Sequence, residues 1–322
     1  IGDMAGDVFG NGMLLSPHTR LIAAFNHLHI FIDPDPDASR SFDERKRLFE
    51  LPRSSWSDYR SELISAGGGV FERSAKYIEL SPQARQALGI SHTRLTPTAL
   101  IHEILQAPVD LLWNGGIGTY VKARQESHQD VGDRANDGLR VNGQELRCKI
   151  VGEGGNLGMT QLGRIEFALH GGRVITDFND NAGGVNSSDR EVNIKIPLNK
   201  LMAEESLAVG PRNALLESMT QDVASGVLRD SYLQTQALAL MQRRAALRMD
   251  EHSNFMRLLE RDQLLDRAIE FLPDDETLAQ RRAAQQGLTL PEQAVLVSYS
   301  KIGLYEQILE SSLPDDPRLE RD

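Results

Sequence analysis

The chain has 322 residues, 40% of them hydrophobic and 25% charged, with a formal net charge of −11. This is the make-up of a globular protein with room for about two domains. It argues against sequence-independent nucleic-acid binding, which needs clustered Lys and Arg; no apolar run nears the ~18 residues that cross a bilayer, and the single Cys148 excludes an internal disulfide or multi-cysteine zinc site and fits a reducing cytoplasm.

In chain order, Ile1 reads as the last residue of a buried strand, Gly2-Asp3-Met4-Ala5 as the tight turn after it, and Val8, Met13, Leu14 and Leu15 as the apolar side of a short helix. Strand, glycine turn and helix form the setting in which a pyrophosphate meets helix N–H groups, although only the second fingerprint glycine (Gly2) and a tolerated Ala5 are visible. RLIAAF, residues 20–25, predicts a strand buried on both faces and the second strand of a right-handed βαβ unit. A start within a strand and an acidic end are expected of an excerpt from a longer polypeptide, and no signal peptide opens the sequence.

Ser41-Phe42-Asp43-Glu44 predicts a capping box opening a helix to Leu51, a short helix is expected near Trp56–Leu63, and Thr96-Pro97 opens another through Leu105. Three further strand ends run into Gly or Asn. They are 109–113 before NGGIG, 149–151 before GEGGN and 173–176 before DFNDNAGG, with a helix at 160–169 joining the last two. Ligands of open α/β sheets bind at such carboxyl ends, so these loops mark one common rim. After Pro197 the pattern becomes helical, with Leu215, Met219, Val223 and Val227, then Leu233, Leu240, Met241 and Leu247, then Phe255, Leu258, Leu259 and Leu265 at helix spacing. Pro291 is placed to open a last helix. The fold expected is α/β, a Rossmann-like doubly wound sheet over residues 1–200, followed by an all-α region over 201–322.

Asn114, Asn156 and Asn181 stand at the three loop entries, where an amide that both donates and accepts can fix a nicotinamide carboxamide or a ribose hydroxyl. Asn26 sits where dinucleotide binders place the group that accepts from the adenosine ribose; no Arg or Lys stands beside it before Arg40, which favours NAD over NADP. Ser188 with Glu191 fits a capping box whose hydroxyl can also face an anion. Asp33, Asp35, Asp37 and Glu44 imitate calcium-loop spacing, but two prolines intervene and Ala38 replaces the turn glycine. His27 and His29 lack further zinc ligands nearby, and Cys148 within CKIV reads as a buried, inert thiol.

The segment Gly2 to Gly12, PVDLLWNGGIGTYVK, DVGDRAND, KIVGEGGN and DNAGGVNSSDREVNIKI together resemble the large bacterial NAD-specific glutamate dehydrogenases, strongly to about residue 200 and less distinctively beyond. The resemblance implies NAD as cofactor and contacts from the Gly2, Asp3, Met4, Ala5 turn. KIVGEGGN is similar to K-I-V-A-E-G-A-N and implies that Asn156 lies near the nicotinamide end. DNAGGVNSS is similar to A-N-A-G-G-V-T-V-S and implies that Asn181 holds the nicotinamide and Ser188 the distal carboxylate of glutamate. VDLLWNGG would put Asn114 and Gly115 beside the cofactor; the ribose position stays open between Asn26 and the DPDPD run.

The implied reaction is oxidative deamination of L-glutamate to 2-oxoglutarate and ammonia, in a cytoplasmic homo-oligomer that uses neither nucleic acid nor membrane. No segment resembles the glycine-rich lysine motif of the family's substrate domain, and Lys76 lies within the implied cofactor domain. The chain is therefore expected to carry the hydride-acceptor half of a site, with no catalytic residue of its own, and to be inactive by itself. The alternatives are another amino-acid dehydrogenase, against which the Ser188 hydroxyl argues, and a non-catalytic dinucleotide-sensing or assembly module.

Overall fold

The computed structural model describes residues 11–319. The expected turn at Gly2, Asp3, Met4 and Ala5 lies outside the described residues. The chain divides between Asn181 and Ala182 into two compact units. The expected change at residue 200 falls inside the first helix of the second unit, Ala182–Ala203.

In the first unit a short helix, α1 (Asn11–Leu14), precedes β1 (Ala23–Phe25) and β2 (His29–Ile32), which pair antiparallel, and β3 (Gly69–Glu72) adds antiparallel to β2. The expectation of burial on both faces holds. Phe25, Ile30 and Ile32 enter the main core, while Ala24 and Phe31 pack with Leu48, Trp56 and Tyr59 on the other side. The expectation of a parallel partner does not hold among the described residues, because the chain reverses at once. Asn26 Oδ1 accepts from the N–H groups of Leu28 (2.9 Å) and His29 (2.8 Å), closing a hairpin turn in the way an Asx side chain imitates the backbone.

The helix α2 (Ala38–Glu50) opens three residues earlier than Ser41, because Asp37 just beyond Pro36 accepts from Arg40 N at 2.9 Å and caps it. Ser41 is consequently a buried interior residue beside Arg45, and Glu44 pairs with Arg47 instead of capping. Two 3₁₀ turns, Trp56–Asp58 and Ser61–Leu63, stand where a short helix was expected. A small antiparallel pair follows, β4 (Ile78–Glu79) with β5 (Arg94–Leu95), enclosing α3 (Pro82–Leu88). The helix α4 (Pro97–Leu105) is capped by Thr96, as its sequence predicts.

The part that positions the site is parallel. β6 (Leu111–Asn114) pairs with β9 (Ile150–Glu153), and Arg173 bridges to Ile150 on the far side of β9. A second parallel pair, β7 (Val121–Lys122) and β8 (Val141–Asn142), joins through Val121 to Met159. Between β7 and β8 lies α5 (His128–Val131). The helix α6 (Gln161–Leu169), capped by Thr160, leads to the turn α7 (Asp177–Asp180). Leu112, Val151, Met159, Phe167 and Val174 share one core with Phe25 and Ile30, so the apolar faces of these elements fix the strand ends against one support. Cys148 belongs to this core, and burial pushes its thiol up to about 11, as suits an inert residue.

Among its described residues the second unit contains helices and no strand. α8 (Ala182–Ala203) runs through Pro197; α9 (Val209–Ser218), α10 (Thr220–Arg243), α11 (Met249–Arg261), α12 (Asp275–Ala283) and α13 (Leu290–Glu310) follow. Pro291 opens α13 behind the Thr289–Glu292 capping box. Its core is formed by Met249, Met256, Leu259, Leu265, Leu272, Leu278, Leu288, Val295 and Leu296. Of the Leu stripe on α10 and after it, Leu233, Leu240 and Leu247 are exposed. Among the described residues no helix is long and apolar enough to cross a membrane.

Candidate functional site

The carboxyl ends of β6 and β9 come together, as their polar loops imply, while residues 173–176, expected as a third strand, make a single bridge from Arg173 to Ile150 and no strand. Asn114 ends β6 and is 5% exposed, yet neither its amide oxygen nor its amide nitrogen has a hydrogen-bond partner. A buried amide left unsatisfied costs about 1–3 kcal/mol, which a fold tolerates where a ligand or water supplies the missing bonds. Asn114 O accepts from Gly154 N at 2.8 Å, so the backbone locks the two strand ends together. Gly115 and Gly116 continue the first loop. A Cβ on Gly155 would stand 2.6 Å from Gly116 O, and one on Gly158 would collide with the Asn114 amide. Glycine at these positions permits the close approach of the loops.

Asn156 and Asn181 meet directly: Asn181 Nδ2 donates to Asn156 Oδ1. The bond leaves one group of each amide for other partners. Gly115, Asn114, Asn156 and Asn181 are thus gathered at one rim of the first unit. Asn26 is not part of this parallel set; it is buried in the β1–β2 turn, and Arg73 donates to its backbone carbonyl at 2.9 Å. The cation beside Asn26 thus comes from β3's end, 47 residues on, where reading the local sequence cannot find it. Ser188 lies within α8 of the second unit and is exposed. The capping-box expectation for it is corrected, because helical structure begins already at Ala182 and leaves no helix start at Ser188.

Behind the rim lies a charged group that the sequence reading missed. Glu153, fully buried at the end of β9, takes Arg164 of α6 in a two-pronged grip of 2.7 and 2.9 Å. Arg164 also reaches Asp177 Oδ1 at 3.1 Å. The carboxylates in turn hold backbone: Glu153 Oε1 accepts from Met159 N at 2.9 Å, Asp177 Oδ2 from Leu157 N at 2.8 Å, and Asp180 Oδ2 from Glu153 N at 3.0 Å. Three carboxyl groups surround one guanidinium. Burial, reinforced by the charges of Glu153 and Asp177, raises Asp180 to about 6 against the pull of the Glu153 N–H and Arg164. A glutamate following the apolar Ile-Val-Gly of a buried strand is itself a signal for such a partner, since buried charges are paired.

The DVGDRAND segment braces the first loop from the other side. Asp133 Oδ2 accepts from Thr119 N at 2.9 Å and from Asn136 Nδ2 at 2.7 Å, and the buried Arg140 donates to Thr119 O at 2.8 Å. Elsewhere, Asp33 is buried against Ser65, His29 meets Glu72 at 3.2 Å, and Asp37 is spent as a cap. His27 lies in the turn rather than on the strand beside His29. Among the described residues no cluster of His, Cys, Asp or Glu is suited to hold a metal.

The observation at the rim that fits a ligand such as a dinucleotide is the orphaned amide of Asn114, while the glycines at 155 and 158 bring the loops together around it. The sequence matches the family model described as bacterial NAD-glutamate dehydrogenase, catalytic domain, over residues 1–241, and the model described as glutamate dehydrogenase, C-terminal, over residues 285–322. It is 62% identical over 322 residues to the NAD-specific glutamate dehydrogenase of Pseudomonas aeruginosa, a match covering 100% of this chain. It is 55% identical over 321 residues to the protein of that name from Halomonas elongata, and 53% identical to that of Mycobacterium tuberculosis over 321 residues, covering 100% and 98% of this chain. The chain spans 20% of the length of each of these relatives.

Proposed function

The chain belongs to the bacterial NAD-glutamate dehydrogenase family, and from that premise we propose that its first unit is the part of such an enzyme that holds NAD. The observation that carries this reading is Asn114, a buried amide at a parallel strand's carboxyl end with both hydrogen-bonding atoms unsatisfied. The parallel pairing of β6, β9 and Arg173, with the polar loops at their carboxyl ends, supports a Rossmann-like doubly wound arrangement. In this reading the cofactor region runs to about residue 200, past the structural division, with the helical region from 201 to 322 following it.

The reaction proposed for the whole protein is oxidative deamination of L-glutamate to 2-oxoglutarate and ammonia, in a cytoplasmic homo-oligomer. NAD, when bound, supplies the acceptor for the hydride from the substrate's α-carbon. This chain's residues bind and orient. Asn114 and Asn156 with Asn181 offer amides to the carboxamide and ribose at the nicotinamide end, and Gly115 lets backbone approach. The Gly2–Ala5 segment is assigned to the pyrophosphate, and Asn26 to the adenosine-ribose end, where its hairpin sets the end of β1. Ser188 is assigned to the distal carboxylate of glutamate through its hydroxyl. Proton transfers fall to a lysine and an aspartate that the family resemblance puts on a separate substrate domain.

Calorimetric titration of the full-length protein with NADH and with NADPH tests the reading. Saturable NADH binding, weaker NADPH binding and a loss of about tenfold or more in Asn114→Ala are expected. An Asn114→Ala protein that folds normally and binds NADH as the wild type does would remove the site from this rim.

A further inference from the structure

We propose that Arg164 is a positioning residue of the cofactor site, whose buried guanidinium sets the Asn156–Asn181 amide pair by clamping two rim turns together. The proposal rests on the reading of that pair as cofactor ligands. It deepens it by naming what holds the pair in place.

Arg164 is 4% exposed although it carries a permanent charge. Its Nε and one Nη grip both oxygens of Glu153, and the same Nη reaches Asp177. Glu153 Oε1 then fixes Met159 N, and Asp177 Oδ2 fixes Leu157 N, so Arg164 restrains the turn that carries Asn156 through two acceptors. Leu157, immediately after Asn156, has φ +59°, a left-handed conformation unfavourable to a branched side chain. Such a residue persists where its surroundings over-determine it. Here the determinant is its N–H bond to Asp177. On the opposite side, Asp177 opens the α7 turn and Asp180 ends it, immediately before Asn181, and Asp180 fastens that turn to Glu153 N. One guanidinium thus ties the residue before Gly154 and the residue opening α7, and the Asn156–Asn181 bond spans the resulting gap.

Lysine cannot reproduce this arrangement. Its single ammonium lacks the planar fork that meets a carboxylate with two parallel bonds and still reaches a second one. In Arg164→Lys charge is kept while the clamp is lost, and the displacement is carried through the two turns to the amide pair, Arg164 itself touching no cofactor.

The test is steady-state kinetics of the full-length protein for Arg164→Lys, Asn156→Ala and the double variant. Arg164→Lys is expected to raise KM for NAD about tenfold with a smaller change in KM for glutamate, since small misplacements of positioning groups cost one to two orders of magnitude. Because Arg164 acts through Asn156, its effect should shrink to less than twofold in the Asn156→Ala background. Equal effects of Arg164→Lys with and without Asn156, or an unchanged KM for NAD in a folded Arg164→Lys protein, would overturn the proposal. If Arg164→Lys does not fold, Asp177→Asn serves instead, since it keeps an acceptor for Leu157 N while weakening the ion pair; the same cycle with Asn156→Ala applies. An Asn156→Ala protein with wild-type KM for NAD would instead remove the amide pair from the site, and with it the reading on which the clamp rests.

Discussion

Asn181 donates its side-chain amide to Asn156 Oδ1 across 25 positions of sequence, joining the turn after β9 to the end of the α7 turn. Two loops so joined behave as one surface. Each amide orients the other, so Asn156→Ala and Asn181→Ala should weaken NADH binding by less together than the sum of their separate effects. A coupling of about 0.5–1.5 kcal/mol is expected in calorimetric titrations of the two single variants and the double. Strict additivity would show that the bond has no bearing on the ligand.

Asn114 sets function against stability. Its unsatisfied amide is a cost to the folded protein that a side chain of similar size without polar atoms does not carry. Asn114→Leu should therefore unfold at a higher temperature than the wild type in the absence of cofactor, by roughly 1–2 kcal/mol of stability. It should bind NADH at least about tenfold more weakly. A thermal melt with and without NADH reads both effects. A variant that is both less stable and unimpaired in binding would contradict the role given to the amide.

The glycines of the rim make a paired prediction with different outcomes. A methyl on Gly155 meets the backbone oxygen of Gly116, which cannot rotate away, so Gly155→Ala should push the two loops apart and cost about 1–3 kcal/mol in stability together with NADH affinity. A methyl on Gly158 meets the end of the Asn114 side chain, which can move. Gly158→Ala should therefore lose NADH affinity with a smaller loss of stability. Equal stability losses in the two variants, measured by denaturant unfolding, would show that the side chain is as fixed as the backbone.

What could be read in the sequence was what depends on neighbours along the chain. Thr96-Pro97, Thr160 and Pro291 mark helix starts where the structure has them, and two of the three expected strand ends, β6 and β9, lie side by side, whereas 173–176 forms a single bridge in place of a strand. The failures arose where two local solutions compete or where the partner is distant. Ser41 and Glu44 have capping-box spacing, yet Asp37 caps first, and Ser188 with Glu191 has the same spacing inside a helix that begins at Ala182. β1 is buried on both faces as its apolar run predicts, but burial does not reveal strand direction. The Asn26 turn decides it. Arg164, eleven residues from Glu153, sits among apolar residues of its helix, and only the fold reveals that it serves two carboxylates, one ending β9 and one opening α7.

In the second unit the buried Glu292 supports the start of α13. Its Oε2 accepts from Thr289 N (2.6 Å), Thr289 Oγ1 (2.7 Å) and Arg281 (2.7 Å). Glu292→Ala leaves Arg281 buried without its partner and two cap donors unsatisfied, so it should destabilise by about 3–5 kcal/mol. Glu292→Gln keeps an acceptor for the cap and should cost less. Urea unfolding of the two variants gives the comparison, and equal losses would mean that the ion pair dominates the cap.

Asp180 makes the rim sensitive to mild acid, and the sign follows from its surroundings. Burial and the neighbouring charges of Glu153 and Asp177 raise its carboxyl to about 6, above its ordinary value of 3.8, in spite of Arg164 and the Glu153 N–H. The folded protein therefore holds this proton more tightly than the unfolded chain does. Its contribution to stability is fully present below pH ~4 and is lost as pH rises from there through about 6, where the folded carboxyl ionises. Asp180→Asn retains an oxygen that can accept from Glu153 N and removes the titration. Its stability relative to the wild type should rise by roughly 1–2 kcal/mol between pH 4 and pH 6.5, after allowance for solvent screening, and stay level above that. Thermal unfolding of both proteins across this range measures the difference. A difference that is flat with pH would show that Asp180 titrates as an ordinary carboxylate, and one that falls as pH rises would show that Arg164 outweighs burial and the two neighbouring charges.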